Sequence, residues 1–221
     1  MKVLTKVLVG SRLHGLSHPQ SDYDWRGIHI HPLKDVLSPF KTIKNTSWVE
    51  GDEDNTSYEL ADFCKNATRG NATILEVFFS DKIEEDSSVT REMRKNWRAF
   101  MDTDAFVAAS RGYAHNQYNK MQLFDADKRT PKFAVAYCRV LWQAAEFLRT
   151  GTFPCQISDL EFRSFLLEVK HDFREDLIPK LTETFMRLQM DVTDAYKTAE
   201  IMKPDIPYIE DFIYRAYVNE T

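Results

Sequence analysis

Two stretches of alternating apolar and polar residues, 3–9 and 22–30, stand on either side of a connection that opens with Gly10-Ser11. A period of two sends successive side chains to opposite faces, so each stretch fits a strand with one buried side. Between them, residues 12–16 suit a short helical turn, and Ser17-His18-Pro19-Gln20-Ser21 is a loop by composition. A third strand is expected at residues 46–49, running into the acidic stretch Glu50-Gly51-Asp52-Glu53-Asp54.

Beyond this point helical signals take over. Thr56-x-x-Glu59 has the form of a capping box and predicts a helix over residues 57–68, with Leu60, Phe63, Cys64 and Ala67 on one face. The apolar run at residues 74–79 fits helix or strand equally. From about residue 91 glycine becomes rare, and helices are predicted over residues 104–123, 132–150, 159–173, 177–190 and 206–218. The third of these opens on a second capping box, Ser158-x-x-Glu161. The chain thus reads as an α/β half, residues 1–98, followed by an all-helical half, residues 99–221.

Composition narrows the partners. A formal net charge of -5 argues against a long footprint on nucleic acid and leaves room only for a local grip. Cys64, Cys138 and Cys155 form no CxxC pair and read as small core residues of a reducing compartment. The N-terminal apolar stretch is too interrupted for a signal peptide, and no run approaches the roughly 20 apolar residues of a membrane span. A cytoplasmic protein without membrane contact is expected.

Chemistry concentrates in residues 10–24. Alternation places Asp22 and Asp24 on one side of their strand, with Tyr23 on the other. Two adjacent carboxylates repel unless a divalent cation lies between them, and oxygen-only ligands favour Mg²⁺. Gly10 offers a bare backbone to a triphosphate, and Ser11 a hydroxyl and an N–H for phosphate oxygens. Such equipment serves phosphoryl or nucleotidyl transfer, which also calls for a third carboxylate from a neighbouring strand. Asp54 is the first choice for it and Asp52 the alternative. Arg12 and Arg26 suit either phosphate oxygens or an ion pair with Asp22 or Asp24. His14 suits packing in the turn, and His29 and His31 read as exposed strand residues. The aromatics Tyr113, Tyr118, Phe124 and Phe133 read as packing residues.

Gly-Ser, a short spacer and Asp-x-Asp together resemble the fingerprint of the DNA polymerase β nucleotidyltransferase superfamily. The longer form, Gly10-Ser11-Arg12-x-His14-Gly15 followed by Ser21-Asp22-Tyr23-Asp24-x-Arg26-Gly27-Ile28, is similar to its RNA repair pathway DNA polymerase β branch. Asp54-Asn-Thr-Ser-Tyr-Glu-Leu60, Gly70-Asn71 with Glu76, and Arg111-Gly-Tyr-Ala-x-x-Gln117-x-x-Lys120 extend the resemblance over about residues 5–150. One departure is Ala61-Asp62, where members of that branch tend to carry Arg-Lys.

The resemblance implies a mixed α+β sheet flanked by helices, with a helical half closing the nucleotide cleft. It implies Gly10 and Ser11 on the triphosphate and Asp22, Asp24 and Asp54 on Mg²⁺, two ions being expected and Mn²⁺ a substitute. It brings Gln117 and Lys120 forward as nucleotide contacts and an NTP, ATP first, as substrate. The expected acceptor is the 3′ end of a tRNA-like RNA. A protein side chain, a small hydroxylated molecule and an inactive nucleotide-binding module stand as alternatives.

Overall fold

Strand β1 (Lys2–Val9) and strand β2 (Tyr23–Ile30) form where the alternation predicts them, joined through helix α1 (Gly10–His14). They pair antiparallel, with Val9 opposite Asp24 and Val7 opposite Arg26. After the short helix α2 (Leu33–Val36), strand β3 (Thr46–Glu50) turns at Gly51, φ 61°, into strand β4 (Glu53–Glu59). The hairpin reverses the chain, so β4 lies parallel to β2 with Asp54 beside Asp24. This is a computed structural model, and it describes residues 1–122 and 130–220.

The helix predicted from residue 57 begins later. β4 continues through Glu59, and helix α3 (Leu60–Ala67) follows it. Thr56, read as a cap, is a strand residue between Arg26 and Ser47. The actual cap is Glu59, whose carboxylate accepts the Ala61 N–H at 2.9 Å. Pairing on both sides of β4 outweighs the local capping pattern, as tertiary context commonly overrides propensity. The expected apolar face, Leu60, Phe63, Cys64 and Ala67, is buried.

Helix α4 (Ala72–Phe79) settles the ambiguous apolar run, with the Asn71 side chain accepting the Thr73 N–H at 3.0 Å. Strand β5 (Ile83–Asp86), not foreseen in the sequence, pairs antiparallel with β1, and helix α5 (Ser88–Lys95) opens on a Ser87/Thr90 capping box. The result is one mixed sheet in the order β3-β4-β2-β1-β5. Arg94 ties its parts together, donating to the Val77 carbonyl at 3.1 Å and to Thr5 Oγ1 at 2.9 Å, and pairing with Asp86.

Helices α6 (Thr103–Gln122), α7 (Thr130–Thr150), α8 (Leu160–His171) and α9 (Ile178–Thr198) come next, then α10 (Ile206–Glu220). The cap of α8 is Asp159, which accepts the Phe162 N–H, rather than Ser158. Two compact units result: Met1–Asp102 with Met202–Thr221, and Thr103–Ile201. The last helix of the half expected as all-helical thus belongs to the unit that holds the sheet. Its reason is apolar. A chain of rings runs Tyr58, Phe63, Phe78, Phe100 and Phe212, at centroid distances of 5.5 to 6.2 Å, from β4 to α10. In the second unit Tyr118 stacks on Phe185 at 4.2 Å, and Tyr137 meets both rings edge-on. Cys64 and Cys138 are buried free thiols, which burial pushes above their ordinary pKa. Among the described residues no helix is long and apolar enough to cross a membrane.

β1 and β4 bury opposite faces of the sheet. Val7 and Val9 are buried on the face they share with Asp24 and Asp54, whereas Asn55 and Ser57 are buried on the other. His29 lies on that second face and is fully buried, contrary to the exposed position expected for it. Its Nδ1 is 2.8 Å from Ser57 Oγ, its ring meets His31 edge-on at 5.2 Å, and the Lys44 carbonyl lies close by.

Burial, reinforced by the neighbouring His31, holds the His29 pKa below 6.5. As pH falls through 6.5 the unfolded chain takes up a proton that the folded chain refuses. The stability present above that pH is therefore lost as the solution is acidified toward the depressed pKa. Denaturant melts between pH 7 and about 5 should show this decline, and His29→Asn should flatten it. Equal slopes in the two proteins would refute the assignment.

Candidate active site

The register of four strands sets Val9, Asp24, Asp54 and Val49 side by side in one lateral row. Directly paired residues share a face, so the two carboxylates project the same way from adjacent strands. Exposure rises along the row, from buried Val9 through half-buried Asp24 to exposed Asp54 and Val49. Asp22, two residues before Asp24, lies just outside β2 and is exposed. Asp52 remains in the hairpin turn, where its carbonyl accepts the Tyr23 N–H at 2.9 Å and holds the start of β2. Glu53, of the same acidic stretch, pairs with Lys6 at 3.5 Å.

Gly10 has φ 68°, and a Cβ built on it would lie 1.9 Å from Asp24 Oδ2 and 2.8 Å from Asp24 Cβ. The sequence suggests that the bare backbone admits a triphosphate. In the fold, the space a side chain would take is filled by the Asp24 carboxylate. Ser11 follows at the head of α1, half-buried, with its carbonyl accepting the Leu16 N–H.

The two arginines are placed differently. Arg12 donates through Nη2 to the Ser21 carbonyl at 2.6 Å and through Nε to the Asp22 carbonyl at 3.3 Å, and stacks on Tyr23 at 3.8 Å. It holds the loop that delivers Asp22. Arg26 lies one step along β2 from Asp24, between Val7 and Thr56, and its buried Nε has no hydrogen-bond partner. Beneath the loop, buried His14 reaches Glu76 at 3.4 Å and links α1 to α4.

Gln117 and Lys120 belong to the second unit, where Gln117 is buried and Lys120 is exposed beside the Phe133 ring at 5.6 Å. They therefore present no common exposed face. Tyr118 is a packing residue, Tyr113 is 41% exposed, and Phe124 lies outside the described residues. Val49, at the end of the third strand expected from the sequence, and Thr56, read there as a cap, are neighbours of the site that the sequence did not assign to it.

Among the described residues no three His, Cys, Asp or Glu side chains are grouped closely enough to hold a metal ion as they stand. The donor chemistry nevertheless suits Mg²⁺: the carboxylates of Asp24 and Asp54 share one face, Asp24 is lodged against Gly10, and Asp22 stands just ahead of β2. Asp22 and Asp54 are exposed and Asp24 is half-buried.

Gly10→Ala should cost about 2–4 kcal/mol, combining the left-handed backbone with the overlap on Asp24. In an Asp24→Ala background the penalty should shrink by about 1 kcal/mol or more, since the contact with the carboxylate is gone. Melting curves of the two single variants and the double variant test this. An undiminished Gly10→Ala penalty would show that Asp24 is not what the glycine accommodates.

The five-stranded mixed sheet and the many helices are those of an α+β nucleotidyltransferase-like fold. Residues 1–206 match the RNA repair pathway DNA polymerase beta family, further along the chain than the motifs alone extend. An uncharacterized protein of Methanocaldococcus jannaschii is 23% identical over 223 aligned residues, covering 89% of this chain and 85% of that protein. By the extent of the family match, this chain belongs to the RNA repair pathway DNA polymerase beta family.

Proposed function

We propose that the chain transfers a nucleotidyl group from an NTP, ATP in the first instance, to the 3′ hydroxyl of an RNA with release of pyrophosphate. The observation that supports this most is the in-register placement of Asp24 and Asp54 on parallel neighbours, with Gly10 closed against Asp24. Family membership supports the reaction class.

Asp22 and Asp24, with Asp54, would hold two Mg²⁺ ions. Bound there, Mg²⁺ neutralises triphosphate charge and acidifies the acceptor hydroxyl. The acceptor oxygen attacks the α-phosphorus, and the bond to the bridging oxygen breaks so that pyrophosphate leaves. Asp54, the exposed member of the row, takes the hydroxyl proton. The Ser11 hydroxyl donates to β or γ phosphate oxygens. Arg26 supplies a cation one step from the carboxylates, with a buried Nε that a phosphate oxygen would satisfy. Arg12 acts indirectly, by fixing the Asp22 loop.

Incubation with α-labelled NTPs, Mg²⁺ and total RNA should move label to RNA. Asp22→Ala, Asp24→Ala and Asp54→Ala should each lower the rate about 10²-fold or more. The melting temperatures of Asp22→Ala and Asp54→Ala, both at exposed positions, should hold or rise, because each removes one of several like charges. Arg26→Ala should raise the KM for NTP more than it lowers kcat. Label on protein would transfer the assignment to a protein acceptor. Full activity in all three aspartate variants would end the mechanism.

A further inference from the structure

The two edges of the sheet differ in chemistry. β5 reads Ile83-Glu84-Glu85-Asp86, and such a run of like charges discourages another strand from pairing with it. β3 reads Thr46-Ser47-Trp48-Val49-Glu50 and carries no charge before Glu50. Trp48 is 44% and Val49 74% exposed, and Leu37 and Phe40 are exposed in the segment that leads into β3. An uncharged, aromatic and β-branched edge is open to strand addition.

The flanking charges select the partner. Lys41 and Lys44 precede β3, Glu50 ends it and Asp52 follows it. A complementary strand must be basic where this one is acidic, and β3 meets that requirement when it is run antiparallel to itself. A two-fold axis perpendicular to the sheet keeps each face on its own side, so opposed residues must have numbers of the same parity. A register centred on Trp48 satisfies this. It sets Trp48 against its counterpart, Ser47 against Val49 and Thr46 against Glu50, and brings Lys44 of each copy to the strand end where Glu50 and Asp52 of the other stand.

We propose that the chain forms a homodimer through antiparallel pairing of β3 with β3 of a second copy, centred on Trp48. The two sheets then run on as one, and both Asp24–Asp54 rows open on the same side. This inference stands apart from the reading of the catalytic site.

Light scattering of the full chain, across about 1 to 100 µM, should give twice the 25.8 kDa chain mass, falling on dilution. Trp48→Lys places two ammonium groups on the axis and should weaken association about tenfold or more. Lys44→Glu should weaken it as well, and adding Asp52→Lys should restore it. Circular dichroism melts confirm that each variant is folded. A chain that is monomeric throughout overturns the proposal, as does a dimer unmoved by Trp48→Lys or a charge swap without recovery. A monomer that loses single-stranded RNA binding in Trp48→Lys also overturns it and assigns this edge to nucleic acid.

Discussion

Parallel pairing between β2 and β4 is the constraint on which the arrangement of the site depends. Parallel neighbours need a connection that brings the chain back to the starting end. Here α2 and β3 provide it, and the turn at Gly51 sets where β4 begins relative to β2. Sliding β4 by one residue would turn Asp54 to the opposite face, away from Asp24. The hairpin therefore fixes a chemical relation between residues thirty positions apart in sequence, Asp24 and Asp54.

Close packing of charge against backbone is the second theme. The Asp24 carboxylate occupies the volume that a side chain on Gly10 would take. Arg12 reaches back over the loop to three carbonyls, those of Pro19, Ser21 and Asp22, giving an otherwise short irregular segment a defined path. The His14–Glu76 contact anchors the same segment from below. Polar groups thus do locally what apolar packing does in the covered half of the sheet.

The strands around Asp24 were legible because each buries apolar residues at every second position, and the long helices because their apolar stripes repeat every three or four. β4 was not, because the side it buries is Asn55, Ser57 and Glu59. Hydrophobic periodicity is blind to a strand whose inward residues are polar, and the Thr56-x-x-Glu59 spacing then offered a plausible helix start. β5 was hidden for the opposite reason: all four of its residues are exposed, and three are acidic. Asp24 could be placed on its strand from spacing alone, whereas the position of Asp54 beside it depends on a register that only the fold supplies. Gln117 and Lys120 show the reverse case, since helical spacing brought them together while burial separates them.

The ring of Phe212 against Phe100, with the Tyr217 hydroxyl donating to Glu59, has a consequence for how the protein is made. Both contacts belong to a helix that leaves the ribosome after the whole of Thr103–Ile201. The usual order, in which the N-terminal unit folds first during synthesis, cannot be followed to completion. The contacts that cover Phe100 and the Glu59 carboxylate from α10 can form only once every other helix has been translated. The second unit is thus an insertion in sequence between the start and the end of the first.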